Sequence, residues 1–236
     1  MNVLLLVLAP CSALVMHPAT VPHQHTAMRS PAPIASAKIL PVAYGGIGAG
    51  LLVRAASAGT PVDAAVLAST GLLSVLNLAV TDNERYAGAK RAVGIYKDRV
   101  SLPFAAQEQL LVAKKWYSIV RVHTFGQLAG LTWMLKGVST IRGAAAFMGA
   151  NVLFFALGAG AANHDKDGVP APKKPQLVRF ILITDLVLLF GALLGAAAPL
   201  GSTTRAFGAS LFALGALIGA VEGAPKLIEA VKSALS

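Results

Sequence analysis

The sequence predicts an all-α, polytopic membrane protein of about six transmembrane helices in three hairpins. The first observation is composition: 56% of the residues are hydrophobic, 13% are charged, and the mean hydropathy is +0.67. The second is length, because several apolar runs approach the ~20 residues an α-helix needs to cross ~30 Å of hydrocarbon. The third is where the charge lies. The net charge of +10 would suggest nucleic acid in a soluble protein, but here the basic residues sit between apolar runs, as in loops flanking a membrane. No basic stretch is interleaved with aromatics as a single-strand binder requires, so nucleic acid is excluded as a partner and the lipid bilayer takes its place.

The N-terminus reads as an address. "MNVLLLVLAPCSALVMH" has a short apolar stretch ending in "CSA", suited to signal-peptidase cleavage after Ala13, although no Lys or Arg precedes it. The next segment, "HPATVPHQHTAMRSPAPIASAK", is rich in Ser, Thr, Ala and Pro, and the first acid of the whole chain is Asp63. These ~37 residues resemble the bipartite plastid-targeting presequences of algae with secondary plastids, with Leu14 in place of the usual aromatic. The resemblance implies a plastid membrane, thylakoid or inner envelope. A plain secretory signal before a linker is the alternative and implies a secretory-pathway membrane. The single cysteine, Cys11, lies in the segment expected to be removed, which leaves no thiolate chemistry in the remainder.

The first hairpin, 38–81, contains helix A at about 39–53, "ILPVAYGGIGAGLLV", and helix B at about 62–81. Helix A is the weakest span: its 15 residues rise only ~22 Å and include Pro41 and four glycines. The connector 82–116 spaces Tyr86, Ala89, Val93 and Tyr96 at helical intervals, and Ser101 precedes a second helical start. It reads as two amphipathic helices lying on the headgroups. The second hairpin, 117–162, holds helix C (117–135) and helix D (143–162). A polar loop, 163–176, leads to the third hairpin, 177–223, with helix E (177–199) and helix F (206–222), and then to a tail, 224–236.

Charge supports six spans. One side carries Lys38, both longer loops and the tail, whereas the other carries only Arg54, Lys136, Arg142 and Arg205. By the positive-inside rule both mature termini face the stroma or cytosol. Trp116 and Tyr117 at one end of helix C and Trp133 near the other fit two interfacial aromatic belts.

The second and third hairpins look duplicated. "FGQLAG" (125–130) matches "FGALLG" (190–195), "STIR" (139–142) matches "STTR" (202–205), and "FALGA" recurs at 155–159 and 212–216 in the same order. Helix packing is expected along small-residue faces: Gly46 and Gly50 on helix A, Gly191 and Gly195 on helix E, and Gly215, Gly219 and Gly223 on helix F.

Three places were candidates for chemistry. "NHDKDG" (163–168) resembles the opening of an EF-hand loop through Asn163, Asp165, Asp167 and Gly168, but Lys174 stands at the twelfth position where a Glu is needed, so a polar turn is the better reading. No metal or other cofactor is expected, and a single pigment ligand at His123 is the one option, since a paired site with His164 would need that loop to dip inward. The third place is a polar layer. At ~1.5 Å per residue, Asp185 lies about 12 Å in from Leu177, His123 about 9 Å in from Tyr117 and Arg121 about 6 Å, with Asn77 at a similar level. An acid at mid-helix costs roughly 2.5–3.5 kcal/mol to insert, so Asp185 is expected to point inward and pair with Arg121 or His123, or to be neutral.

The expected function is that of a subunit or assembly factor of a plastid membrane complex, with other subunits as partners. The alternative is a small-solute or ion transporter using Asp185 with Arg121 and His123. An enzyme ranks third, because no zinc motif, Ser/His dyad or multi-carboxylate phosphate site appears in the spans.

Overall fold

The computed structural model describes residues 39–97, 104–137, 139–158, 163–164, 168–171 and 175–235. The expected address segment, with Cys11, lies outside them, as do Asp165, Asp167 and Lys174. The protein is an all-α polytopic membrane fold: α1 (Ile39–Ala56), α2 (Pro61–Leu73), a π-helical turn (Ser74–Leu78), α3 (Ala79–Lys97), α4 (Phe104–Lys136), α5 (Thr140–Gly158), α6 (Pro175–Ala197) and α7 (Thr203–Leu235). Five stretches are long and apolar enough to cross a membrane: α1, Pro61–Tyr96 counted as one, and the apolar lengths of α5, α6 and α7. The exception is α4, which is long enough but carries Lys114, Lys115, Arg121, His123 and Gln127. Its polar residues His123, Thr124 and Gln127 are buried among its neighbours.

Local chemistry sets the helix ends. Thr60 caps α2, its Oγ1 accepting the Asp63 N–H at 3.1 Å and donating to Asp63 Oδ2 at 2.9 Å, with Pro61 opening the helix. Ser202 Oγ accepts the Arg205 N–H at 3.2 Å at the head of α7. Gly137 and Gly201 take φ of 81° and 80° in the turns that follow α4 and α6, a left-handed conformation that suits glycine. The turn 57–60, Gly137 with Ser139, and the turn 198–202 gather at one end, termed here the short-turn end.

The connector differs from its expectation. No surface-lying helix begins at 82. Helicity runs without a break from Pro61 through the π turn to Lys97, and α4 enters from Phe104 as one piece. Those stretches, 37 and 33 residues, measure ~55 Å and ~50 Å, well beyond ~30 Å of hydrocarbon. Their outer halves pair with each other through Ala92, Tyr96 and Ala113. The short side chains let two helices stay in register, so an antiparallel arm forms where charge density alone suggests a lipid surface. Likewise α7 runs through Pro225 and the expected tail as a single helix.

Neighbouring helices follow the order α1, α2, α7, α6, α5, α4, and α4 returns to α1 and α3. Backbones meet closely at glycines. A Cβ on Gly143 would meet Gly130 O at 2.9 Å, and one on Gly208 would meet Gly195 N at 2.8 Å. The two hairpins that the sequence pairs as copies thus share one crossing, with both glycine pairs spaced by the same interval. Gly191 and Gly195 face α7, Gly215 faces Leu188, Gly219 faces Leu73 and Gly223 faces Asn77, as the small-residue faces suggested. Gly46 does not: nothing lies within 4 Å of a Cβ built there. The buried edge of α1 runs through Tyr44, Gly48 and Leu51, so Gly48, against Gly71 O at 2.9 Å, makes the close approach, and Gly50 meets only the Leu135 side chain.

The expected polar loop contains a two-residue antiparallel ladder, Asn163–His164 with Pro170–Ala171. Gly168 (φ 79°) lets this hairpin rest on α3, since a Cβ there would meet Ala92 N at 2.8 Å.

Candidate functional site

The four residues placed in one layer by depth do not meet. Arg121 is exposed, its guanidinium 5.7 Å from the Tyr117 ring centroid. Asn77 donates to Gly219 O at 2.6 Å and accepts from Thr81 Oγ1 at 2.8 Å, so it ties the π turn to α7. Asp185 is half-buried on α6 and makes no hydrogen bond or salt bridge among the described residues. Its electrostatic partner is Arg85, not Arg121. Depth along an axis does not fix direction around it: α5 packs between α4 and α6, and Arg121 lies on the exposed side of α4. His123 is buried and bonded to Asn151, whereas His164 lies in the hairpin against α3.

The polar residues that do meet form a chain across the helices. Asn151 Nδ2 on α5 donates to Phe147 O at 3.2 Å, which turns its Oδ1 toward α4. That oxygen accepts from Gln127 Nε2 at 2.9 Å and lies 3.0 Å from His123 Nε2, making His123 a donor there. Gln127 Oε1 is left facing the Tyr44 hydroxyl of α1 at 2.9 Å. The same hydroxyl lies 3.0 Å from Asp82 Oδ2 on α3, and Asp82 Oδ1 accepts from Arg85 Nη1 at 2.5 Å. Tyr44, Asp82, His123 and Gln127 are all 2% exposed or less, so water is no substitute partner.

Counting protons exposes a conflict. A phenol carries one proton, yet Tyr44 faces two oxygen acceptors. If the hydroxyl donates to Asp82, the 2.9 Å contact with Gln127 Oε1 has no proton. If it donates to Gln127, the contact with Asp82 needs a proton of its own. One added proton satisfies every contact in the chain. With the amides oriented as they are, one contact at the hydroxyl is left without a proton, and burial of an unsatisfied acceptor costs about 1–3 kcal/mol.

Position matters as much as chemistry. Counted from the helix ends at the short-turn end, Gln127 lies ~14 Å in, Asn151 ~17 Å and Tyr44 ~18 Å, which is mid-depth for ~30 Å of hydrocarbon. Between them and that end stand Leu51, Leu67, Leu131, Met134 and Ile141, each 1% exposed or less. The other direction holds one charged side chain among apolar ones. Arg85 sits 4.9 Å from the Phe154 ring centroid and lines a cavity of about 170 Å³ with Trp116, Phe154, Phe155, Val178 and Ile181. Asp185 lies one turn further along α6. Trp116, expected in an interfacial belt, is instead buried against Phe154, and its Nε1 has no partner among the described residues. His123 Nδ1, beside the same Phe154 ring, is likewise unpartnered.

The π turn fits Ser74 Oγ onto Tyr44 O at 2.8 Å. It also resets the register of the continuing helix, so that Asp82 and Arg85 turn inward. Among the described residues no group of three or more His, Cys, Asp or Glu is placed to hold a metal.

No known protein family, curated protein or solved structure matches this chain.

Proposed function

We propose that the protein moves a proton, alone or with a small solute, across a membrane, and that the chain from Arg85 to His123 is its proton-binding centre. The observation that carries this reading is the Tyr44 hydroxyl held between two acceptors, Asp82 Oδ2 and Gln127 Oε1, at mid-depth. Ionisable groups inside a membrane are expensive to bury and mark proton relays and ion paths. An apolar barrier stands on one side of the centre, and on the other Arg85 reaches from Asp82 to a cavity of about 170 Å³, which supports a site that communicates with one face only. This reading takes up the transporter that the sequence offered as the alternative to a complex subunit, and moves its centre from Asp185 to Tyr44 and Asp82, with Asp185 as a second carboxylate near Arg85. The presequence-like N-terminus supports a plastid membrane as the setting.

The test is proton flux. Purified protein in vesicles with an imposed pH gradient and an internal pH dye should dissipate the gradient faster than empty vesicles. Tyr44→Phe should remove that excess while inserting to the same extent. No excess flux in the wild type, with and without a membrane potential, would contradict the proposal.

One observation favours the second reading, a subunit or assembly factor. The arm built from the ends of α3 and α4 presents exposed Arg91, Lys114 and Lys115, a surface suited to docking another subunit. Migration of the native protein in a large complex that survives mild detergent would support that reading.

A further inference from the structure

The relay leaves the short-turn end unused. A cavity of about 610 Å³ opens there, lined among others by Arg54, Asp63, Arg142 and Arg205, from α1, α2, α5 and α7 respectively. The sequence puts only four basic residues at this end, and three of them line this one cavity. Arg142 and Arg205 are the arginines of the two matching S-T-x-R turns, so the repeat delivers an equivalent cation from each copy.

Three arginines and one aspartate give a formal charge of about +2 at pH 7, since guanidinium groups stay protonated. The fold fixes two of the three cations. Arg54 Nη1 donates to Met134 O at 2.6 Å and Leu135 O at 3.0 Å, capping α4. Arg205 reaches Gly195 O at 3.4 Å and Asp63 Oδ1 at 3.8 Å. None of these three carbonyls neutralises a charge, and Asp63 answers one cation of three. Arg142 is exposed. The heads of α2, α5 and α7 all reach this cavity, through Asp63, Thr140 and Arg205, and the positive ends of their dipoles add to the field. Such a concentration of like charge is repulsive unless an anion occupies it.

We propose that this basin binds a phosphate group. Guanidinium forks match phosphate oxygens two at a time, and the net charge of the basin is balanced by that of a phosphate monoester dianion. The volume exceeds that of inorganic phosphate and falls among those of small-molecule sites, leaving room for the remainder of a phosphorylated compound. The phosphate comes either from a soluble ester or from the headgroup of an anionic phospholipid.

Thermal unfolding of the full chain in neutral detergent separates the sources. The probes are inorganic phosphate, glycerol 3-phosphate, and mixed micelles of phosphatidylglycerol or phosphatidylcholine, with chloride at matched ionic strength as the control. The proposal expects a rise in Tm with a phosphate probe and none with chloride. In Arg142→Gln the apparent affinity should fall at least tenfold while the unliganded Tm does not fall, because Arg142 is exposed and its removal relieves repulsion in the empty basin. Arg205→Gln should weaken binding similarly. A response to glycerol 3-phosphate identifies a soluble ligand, and a response to phosphatidylglycerol but not phosphatidylcholine identifies a lipid. No response to any probe, or a response that both variants retain in full, overturns the site. Neither result depends on proton flux through the Tyr44 centre.

Discussion

Tyr44 and Asp82, 38 residues apart, meet at 3.0 Å inside the bundle, and the same hydroxyl lies 2.9 Å from Gln127. The two contacts compete for one phenolic proton. In Tyr44→Phe both acceptors lose the hydroxyl. The variant should unfold at lower temperature, by an amount equivalent to about 1–3 kcal/mol, and lose proton flux altogether. Thermal unfolding in detergent and flux in vesicles check the two effects separately.

Arg85 touches Asp82 and is the cation nearest in influence to Asp185. Removing it leaves a buried carboxylate uncompensated, at a cost of about 3–5 kcal/mol, so Arg85→Met should sharply reduce accumulation in the membrane. Arg121→Ala should not, because its guanidinium lies on the exposed side against Tyr117. Immunoblots of membranes expressing each variant decide between them. Equal losses would contradict the assignment of Arg85 as the buried cation.

Glycine positions provide a stability test without chemistry. Gly208→Val drives its side chain into Gly191 and Gly195 and should lower the unfolding temperature markedly. Gly46→Ala meets open space and, with the better helix propensity of alanine, should be neutral or stabilising by up to about 1 kcal/mol.

The arm of α3 and α4 is predicted to stand outside the bilayer. After Cys11 is replaced by Ser, a cysteine at Arg91 should react with a membrane-impermeant maleimide in vesicles open on that side. A cysteine at Phe125, exposed on the outside of the bundle, should resist it, because lipid covers that position.

Much of the architecture was legible because the bilayer imposes it. Apolar runs of the right length, Thr60 with Pro61, and the glycines after α4 and α6 mark helices and turns locally. The glycine spacing on α6 and α7 marks packing faces equally well. The site was less legible for two physical reasons. Depth along a helix is fixed by residue count, but azimuth is not, so Arg121 and Asp185 shared a level without sharing a face. The π turn at Ser74–Leu78 alters that azimuth with no signature in composition. Charge density marks 82 as the end of a span and places Asp82 and Arg85 in the surface-lying connector, although no proline interrupts helicity from Val62 to Lys97. Gln127 and Asn151 were visible as polar side chains within apolar helices. Their roles emerge only when both amides are placed together with Tyr44.

The most direct measurement is infrared absorption of the protonated carboxyl group as pH is lowered, in an Asp185→Asn background that removes the other membrane-embedded acid beside Arg85. The account predicts that acidification in this background raises one hydrogen-bonded carboxyl band that is missing from the same difference spectrum of Asp82→Asn, and that this band shifts in Tyr44→Phe because its hydrogen-bond partner is gone. Acid-induced difference spectra that are the same with and without Asp82, at every pH at which the protein stays folded, would contradict the claim that this site takes up a proton.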